Sequence, residues 1–307
     1  MDEIARAVEG AVSDGASELA CAKINLALHV TGRRTDGYHN IESLVVFADC
    51  GDVLGAAPSA DGRMRLTVKG EFAGSLTETT GPHDNLVTRA ASDLARAAGK
   101  AEVPPTKLTL TKRIPVAAGL GGGSADAAAA LRLLNREWRL NLAAGRLAEV
   151  ARGIGADVPM CLASRPLLAK GIGEKITPVA GMPTIPIVLA HPGIPVETAA
   201  VFAQLAARDG EPLPALPAKF ASLLEVIFWL RQARNDLAEP AALVNKAAVS
   251  AAKALMRDPD CLFARMSGSG AAAFGIFITL QAAERAAERL RAAKPAWWVV
   301  AATTLPS

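Results

Sequence analysis

The residues best suited to chemistry form a glycine cluster, Gly119-Leu-Gly-Gly-Gly123, which runs directly into the alanine-rich residues 124–136. Consecutive glycines indicate backbone conformations or close approaches that side chains would forbid. The alanine and leucine content that follows predicts a helix, whose first N–H groups have no partner inside the helix. These donors and the helix dipole form an anion site that a phosphate can approach closely. Ser124 either caps this helix or bonds a phosphate oxygen. The alternative is a plain glycine turn.

Two familiar nucleotide-binding motifs do not fit the cluster. A Walker A loop requires a lysine before its Ser or Thr, whereas Gly123 precedes Ser124. The dinucleotide fingerprint G-x-G-x-x-G fails as well, because Ser124 stands where its third glycine belongs. A relaxed match, Gly268-Ser-Gly-Ala-Ala-Ala273, is followed by a strand-like rather than a helical segment. The cluster is therefore predicted to bind phosphate in another way.

The elements around the cluster mix strands and helices. Residues 20–30 alternate with period two, which predicts a strand with Ile24 facing a core and Lys23, Asn25 and His29 on the opposite face. Further strands are predicted at residues 41–48, 64–69, 107–111, 185–190, 261–266, 272–279 and 298–302. Helices are predicted at residues 84–98, 142–152, 198–207, 220–231, 241–256 and 282–293. Without a regular βα repeat, this pattern favours an α+β fold.

The length of 307 residues favours two domains over one. Prolines become frequent after Ala163, so we expect a boundary near residues 164–172. The predicted organisation is an N-terminal extension at residues 1–18, an N-terminal domain at 19–167 and a C-terminal domain at 168–307.

Composition excludes several classes of protein. A net charge of +3 is too small for a nucleic-acid-binding or anionic-membrane surface. The apolar runs near residues 271–280 and 296–302 are far shorter than the ~20 residues of a membrane-spanning helix. The acidic N-terminus shows no signal peptide, so a cytoplasmic location is expected. The four cysteines and four histidines lack metal-ligand spacing, and no protein-built metal site is predicted.

Several motifs together resemble the GHMP kinase superfamily of small-molecule kinases. Residues 115–127 look like its phosphate loop, and Met266-Ser-Gly-Ser-Gly-Ala271 resembles its C-terminal motif. Four further segments are similar to the branch that acts on a cytidyl-diphosphate-linked methylerythritol in the non-mevalonate route to isoprenoids. These segments are Ala22-Lys-Ile-Asn-Leu-Ala-Leu28, Asp36-Gly-Tyr-His39, Gly155-Ala-Asp-Val-Pro159 and Asn235-Asp-Leu237. The motifs occur in order along most of the chain.

The resemblance implies a fold and a reaction. The fold is α+β with two domains, a ribosomal-protein-S5-domain-2-like N-terminal domain and a ferredoxin-like C-terminal domain, with ATP and acceptor in the cleft between them. The reaction is transfer of the ATP γ-phosphoryl to the 2-hydroxyl of the acceptor. Asp157 matches the catalytic aspartate, expected to orient the hydroxyl and accept its proton late. Lys23 matches the catalytic lysine, expected to stabilise Asp157 and the transferring charge.

The resemblance also implies binding residues and a cofactor. Asn25 matches a substrate-pocket position, while Tyr38 and His39 match the pair that holds the cytosine. Thr198 and Phe202 match more loosely; Phe202 either stacks on the base or belongs to the core. Mg²⁺ is expected to arrive with ATP near Ser124, and Ala125 replaces a serine that is common in the family loop. The expected ATP-binding residues are Pro115, Val116, Ala117, Ala118, Gly119, Leu120, Gly121, Gly122, Gly123, Ser124 and Ala125.

Particular residues disfavour three other functions. A homoserine or mevalonate type of GHMP kinase is disfavoured by the Tyr38-His39 pair, because those acceptors have no base to stack. A non-catalytic sensor on the same fold is disfavoured because Lys23, Asp157 and the glycine cluster are all present. A dinucleotide oxidoreductase is disfavoured by the strand that follows Gly270. The expected partners are the two small-molecule substrates, with no nucleic acid and no membrane, and the expected state is a monomer or weak homodimer.

Overall fold

The structure, a computed structural model, describes residues 15–77, 85–205 and 210–307. Most of the expected extension, residues 1–14, and the expected helix start at Asp84 lie outside these ranges. The strands are β1 (Ala16–Arg33), β2 (His39–Pro58), β3 (Arg65–Lys69), β4 (Thr106–Thr111), β5 (Leu167–Gly171), β6 (Lys175–Pro178), β7 (Pro186–His191), β8 (Phe263–Met266), β9 (Ala273–Ile276) and β10 (Trp298–Thr303). The α-helices are α1 (Gly74–Thr77), α2 (Leu86–Ala97), α3 (Gly122–Glu137), α4 (Ala144–Ile154), α5 (Val158–Ala163), α6 (Thr198–Ala203), α7 (Leu223–Gln232), α8 (Ala238–Val244), α9 (Ser250–Leu255) and α10 (Leu280–Ala293).

The predicted α+β fold is confirmed, with one helix divided differently from the prediction. Residues 241–256 were expected to form a single helix, but the structure has α8, a 3₁₀ turn at Lys246–Val249 and then α9. The break occurs at Asn245, whose extended backbone leaves the helix while its Oδ1 accepts a hydrogen bond from the Ala247 amide at 3.0 Å. Asparagine side chains compete with the helical backbone in this way.

The chain forms two compact units, and each unit draws on separate stretches of sequence. The first contains the described residues up to Ala22, together with Cys50–Val116 and Gly121–Ala163. The second contains Lys23–Asp49, Ala117–Leu120 and Ser164–Ser307. The predicted contiguous boundary after residue 167 stays a prediction.

In the first unit, the strands β3, β4 and β2 are neighbours in one sheet, in that order. The second half of β2 pairs with β4 in antiparallel register, from Val53 opposite Thr111 to Pro58 opposite Thr106. β3 lies parallel to β4 on its other side. Helix α3 buries a nearly continuous alanine and leucine surface, and α2 packs against it. Alanine lets neighbouring elements approach closely while favouring helix, which explains why this sequence forms α3.

In the second unit, the first half of β2 pairs with β5, and β5 pairs with β6, both in antiparallel register. Farther along the chain, the described residues form a four-stranded antiparallel sheet in the order β10-β7-β9-β8. Helix α10 packs its buried alanines against this sheet, beside Val188, Phe277 and Val299. No described helix has both the length and the apolar character needed to cross a membrane.

Both faces of β1 are buried. Ile24 is buried as expected, and Lys23, Asn25 and His29, which the prediction placed on the opposite face, are buried as well, with exposed fractions of 7%, 3% and 1%. The burial of this second face was not part of the prediction. His29 explains how such burial is stabilised: its Nδ1 lies 3.0 Å from the Glu211 carbonyl oxygen, and its Nε2 accepts from a backbone N–H at 3.0 Å. A buried polar group that is hydrogen-bonded in this way is tolerated.

Candidate active site

The start of helix α3 supplies backbone donors in the first unit. Gly121 is the N-cap residue and adopts a left-handed conformation with φ of 67°, which favours glycine. Gly121 has no side chain to cap the first turn, and no side-chain cap is present among the described residues. Gly123 is exposed and Ser124 half-buried, both within that turn. Because Ser124 lies inside the helix, the suggestion that it caps α3 was wrong. Its hydroxyl and the first N–H groups can instead meet an anion.

The part of the glycine cluster in the second unit is held by the C-terminal motif. Gly119 has φ of 78°, and a Cβ there would lie 2.5 Å from the Ser267 carbonyl oxygen, so only glycine fits. The Ser267 hydroxyl donates to the Gly119 carbonyl at 3.1 Å. The Ala272 amide donates to the Ala118 carbonyl at 3.0 Å. The two motifs identified separately in the sequence are thus hydrogen-bonded to each other.

Lys23 lies in a buried chain of hydrogen bonds in the second unit. Its Nζ donates to Asn25 Oδ1 at 3.1 Å. Asn25 Nδ2 donates to Ser43 Oγ at 2.7 Å, and Ser43 Oγ donates to the Ala27 carbonyl at 2.7 Å. Since Ser43 accepts from Asn25, the amide oxygen of Asn25 must face the ammonium of Lys23. The Lys23 amide also donates to the Leu120 carbonyl at 2.9 Å, which ties β1 to the glycine cluster.

Asn235 fixes the turn of the C-terminal motif. Its Nδ2 donates to the carbonyls of Met266 and Gly268, each at 2.9 Å. Its Oδ1 accepts from the Leu237 amide at 3.0 Å. The Asn25 amide in turn donates to Ser267 Oγ at 3.1 Å. The Asn-Asp-Leu segment therefore positions the residues that hold Asn25 and Gly119.

The expected base-binding residues lie on or near the start of β2. Tyr38 is 62% exposed in the turn before this strand. The ring of His39 stacks on that of Phe202, with centroids 5.3 Å apart and an angle of 25° between the planes. Burial and the charge of nearby Arg33 lower the pKa of His39 below its ordinary value. Thr198 Oγ1 lies 2.8 Å from Ser269 Oγ, beside the C-terminal motif. The structure thus brings His39 and Phe202 together, while their contact with a base stays a prediction.

Asp157 lies in the first unit, in the turn directly before α5. It is half-buried, and its backbone carbonyl accepts from the Cys161 amide at 3.1 Å. Its placement in a short, fixed turn suits a carboxylate that must hold one position. Its pairing with Lys23 stays a prediction.

A pocket of about 860 Å³ lies in the first unit. Leu66, Leu86, Arg65 and Arg89 contribute to its walls. It adjoins the start of α3, since a Cβ on Gly123 would lie 3.5 Å from Leu86 Cδ1. Among the described residues, no group of three or more His, Cys, Asp or Glu side chains is placed to hold a metal ion.

A buried charge cluster lies behind the phosphate loop. Lys112 Nζ donates to Asp52 Oδ2 and, at 2.7 Å, to Asp126 Oδ2. Burial raises the pKa of Asp126 to about 8; Lys112 opposes this rise and Asp52 adds to it. For Lys112, burial acts to lower the pKa, but the two carboxyl groups raise it above its usual value.

Comparison with known proteins identifies the family. The model of the GHMP kinases N terminal domain matches residues 85–165, and that of the GHMP kinases C terminal domain matches residues 220–296. A 4-diphosphocytidyl-2-C-methyl-D-erythritol kinase from Mesorhizobium japonicum is 47% identical over 292 residues, covering 94% of this chain and 95% of the relative. The chain belongs to the 4-diphosphocytidyl-2-C-methyl-D-erythritol kinase family. A relative of the same name from Chelativorans sp. is 46% identical over 289 residues, covering 94% of this chain and 96% of its own.

Solved structures agree with membership of this kinase family. A crystal structure of 4-(cytidine 5'-diphospho)-2C-methyl-D-erythritol kinase is 33% identical, with a TM-score of 0.76, and covers 95% of this chain and 100% of its own. A homoserine kinase from Cytophaga hutchinsonii shares the fold at 18% identity, with a TM-score of 0.67 over 95% of this chain and 96% of its own. The predicted family, enzyme class and two-domain GHMP kinase fold are confirmed.

Sequence reasoning missed several residues that contact the candidate site residues or lie beside the phosphate loop. Ser43 is a serine in a strand, with no motif around it, and its partner Asn25 is 18 residues away. Asp52 and Lys112 are 60 residues apart. The one available signal was Asp126, which directly follows the phosphate-loop residues and is buried on an otherwise apolar helix face.

Proposed function

We propose that the chain transfers the γ-phosphoryl of ATP to the 2-hydroxyl of 4-diphosphocytidyl-2-C-methyl-D-erythritol, in non-mevalonate isoprenoid precursor biosynthesis. One observation carries the proposal: Lys23, held by Asn25, lies on a strand whose backbone is bonded to the glycine cluster at Leu120. A cation on a strand that is joined to the phosphate loop suits phosphoryl transfer, because positioning and charge neutralisation supply most of the catalysis.

ATP binds with its phosphates at the start of α3. The N–H groups of Gly122 and Gly123 and the hydroxyl of Ser124 donate to phosphate oxygens, and the helix dipole adds to this attraction. The pocket beside Leu86 suits the nucleoside, since it adjoins Gly123 and has arginines in its walls. Phosphate binding through backbone donors also fits a chain whose net charge is only +3.

Asp157 orients the acceptor hydroxyl and takes its proton. A carboxylate is a weak base, so the proton moves late, once the bond to phosphorus is well advanced. Lys23 stabilises the charge on Asp157 and on the transferring phosphoryl. Asn25 assists by fixing the direction of the Lys23 ammonium, and it contributes to the substrate pocket.

The cytosine of the acceptor is held by Tyr38 and His39. The exposed Tyr38 ring is available for stacking, and His39 is pre-ordered by its contact with Phe202. A lowered pKa keeps His39 neutral at pH 7, so one ring nitrogen donates and the other accepts. Phe202 and Thr198 complete the binding site for the cytosine.

Mg²⁺ would accompany the ATP phosphates near Ser124. It supplies charge neutralisation to the phosphates when bound. We further propose that the enzyme acts in the cytoplasm, as a monomer or a weak homodimer.

The test is an ATP-dependent phosphorylation assay with three acceptors: the cytidyl-diphosphate-linked methylerythritol, mevalonate and homoserine. We expect turnover with the cytidyl compound alone. Turnover only with an acceptor that lacks cytosine would overturn the assignment of Tyr38 and His39 and leave a GHMP kinase of another type. Absence of turnover, with ATP still bound, would favour the sensor alternative.

A further inference from the structure

We propose that Lys112, Asp52 and Asp126 form a clamp of positioning residues that holds both ends of the phosphate loop at the spacing that ATP binding requires. The proposal rests on the proposed function, because it assigns ATP phosphates to the start of α3. All three residues belong to the first unit and are buried.

The first end of the loop is fixed by Asp52. Its Oδ1 accepts hydrogen bonds from the Arg113 amide at 2.5 Å and the Ile114 amide at 2.9 Å. These amides directly precede Pro115, the first residue of the loop. A carboxylate that accepts two backbone N–H bonds fixes both peptide planes. The chain therefore enters the loop in one direction.

The second end is fixed by Asp126, which directly follows Ala125 on α3. Its Oδ2 accepts from Lys112 Nζ at 2.7 Å, and the same Nζ donates to Asp52 Oδ2. The Lys112 ammonium thus connects Asp52, which holds the residues before the loop, to Asp126, which follows the loop. A Cβ on Gly122 would lie 3.5 Å from Lys112 Nζ, so the clamp lies directly behind the first turn of α3.

The charges of Lys112, Asp52 and Asp126 also support a role in ATP binding. Two carboxylates behind a phosphate site would repel ATP at close range, where little water screens them. Lys112 offsets this charge. Among the described residues, the buried Oδ1 of Asp126 has no hydrogen-bond partner, which is a poor setting for a full negative charge. Stability alone is a weak reason for such a cluster, because apolar residues often replace buried ion triads without loss.

The test compares two substitutions at Asp126. Asp126→Leu removes the oxygen that accepts from Lys112, whereas Asp126→Asn keeps an amide oxygen in that place. We expect Asp126→Leu to raise the ATP Kd, measured by calorimetry, by about 10- to 100-fold, as expected for a displaced binding group. The KM for the acceptor should stay within about twofold, and Asp126→Asn should bind ATP nearly as wild type does. Arg136→Met, which removes a cation from the far end of α3, serves as the control.

Three results would overturn the clamp. The first is wild-type ATP affinity in Asp126→Leu. The second is a parallel rise of both substrate constants together with a lower melting temperature, which indicates a structural role only. The third is equal loss in Asp126→Asn and Asp126→Leu. If Asp126→Leu does not fold, Asp126→Ser, whose hydroxyl is too short to reach Lys112, gives the same comparison. Failure of the wild-type protein to bind ATP would instead refute the proposed function, and the clamp with it.

Discussion

Replacing Ser43 by alanine isolates the contribution of Lys23's orientation to catalysis. Ser43 is completely buried and makes two hydrogen bonds, to Asn25 Nδ2 and to the Ala27 carbonyl, both at 2.7 Å. In the wild type, the Ser43 hydroxyl accepts from Asn25 Nδ2 and so fixes which way the Asn25 amide points. Without this acceptor, the amide can flip and exchange the positions of its nitrogen and oxygen. A flipped amide would present N–H groups to the Lys23 ammonium, which cannot accept them.

The size of the effect follows from these contacts. A buried donor left without a partner costs roughly 1–3 kcal/mol, so the free energy of unfolding should fall by that amount. If the flipped amide makes the interaction between Asn25 and the Lys23 ammonium less favourable by about 1.4 kcal/mol in the transition state, kcat should fall about tenfold. The ATP Kd should change little, because these two hydrogen bonds of Ser43 go to Asn25 and Ala27 on β1 and not to the phosphate loop.

The measurements are urea unfolding and steady-state kinetics with both substrates varied. Ser43→Thr restores the hydroxyl and should recover much of kcat. Ser250→Ala serves as the control. It removes a serine hydroxyl that donates to the Ala247 carbonyl at 2.7 Å, and neither residue belongs to the candidate site. A stability loss of the expected size with unchanged kcat would refute the role of the Asn25 amide.

Four further predictions follow from the site. Gly119→Ala should lower both the melting temperature and kcat, because its Cβ would lie 2.5 Å from the Ser267 carbonyl oxygen; a wild-type melting curve would contradict this. Tyr38→Ala should raise the acceptor KM about tenfold and leave the ATP KM unchanged, since stacking on a base contributes ~1–3 kcal/mol. Asp157→Asn should lower kcat by roughly 10²- to 10⁴-fold, and near-wild-type turnover in a folded variant would exclude it as proton acceptor. Burial raises the pKa of Asp126 to about 8, above its ordinary value of ~3.9, so the unfolded chain releases this proton at a lower pH than the folded protein does. The free energy of unfolding of the wild type should therefore fall between about pH 4 and pH 8, and Asp126→Asn should lack this fall in urea unfolding at pH 5 and pH 8.

The sequence allowed much of the fold to be predicted where local pattern decides it. Period-two alternation located β1, and alanine-rich composition located α3, because these patterns reflect periodic burial and intrinsic helix preference. The second face of β1 could not be predicted, since its burial depends on distant partners. Asn25, for example, donates its amide to Ser267, 242 residues farther along the chain.

Only those residues of the candidate site that belong to a sequence motif could be predicted. The glycine cluster and the segment around Ser267 were both identified, but their hydrogen bonds to each other were not. The cluster of Lys112, Asp52 and Asp126 was missed because an isolated charged residue is, in most sequences, part of a solvated surface. Only the fold reveals that these three charges meet in the interior.

The division of the chain into interleaved units has a consequence for synthesis on the ribosome. Lys23 is made early, yet the unit to which it belongs also needs Ala117–Leu120 and Ser164–Ser307. Its neighbour Asn25 obtains its bond to Ser267 only after most of the chain has emerged. A nascent or prematurely terminated chain thus contains Lys23 but lacks the later residues that pack around it in the folded protein. The surroundings of Lys23 are therefore completed only when synthesis has passed Ser267.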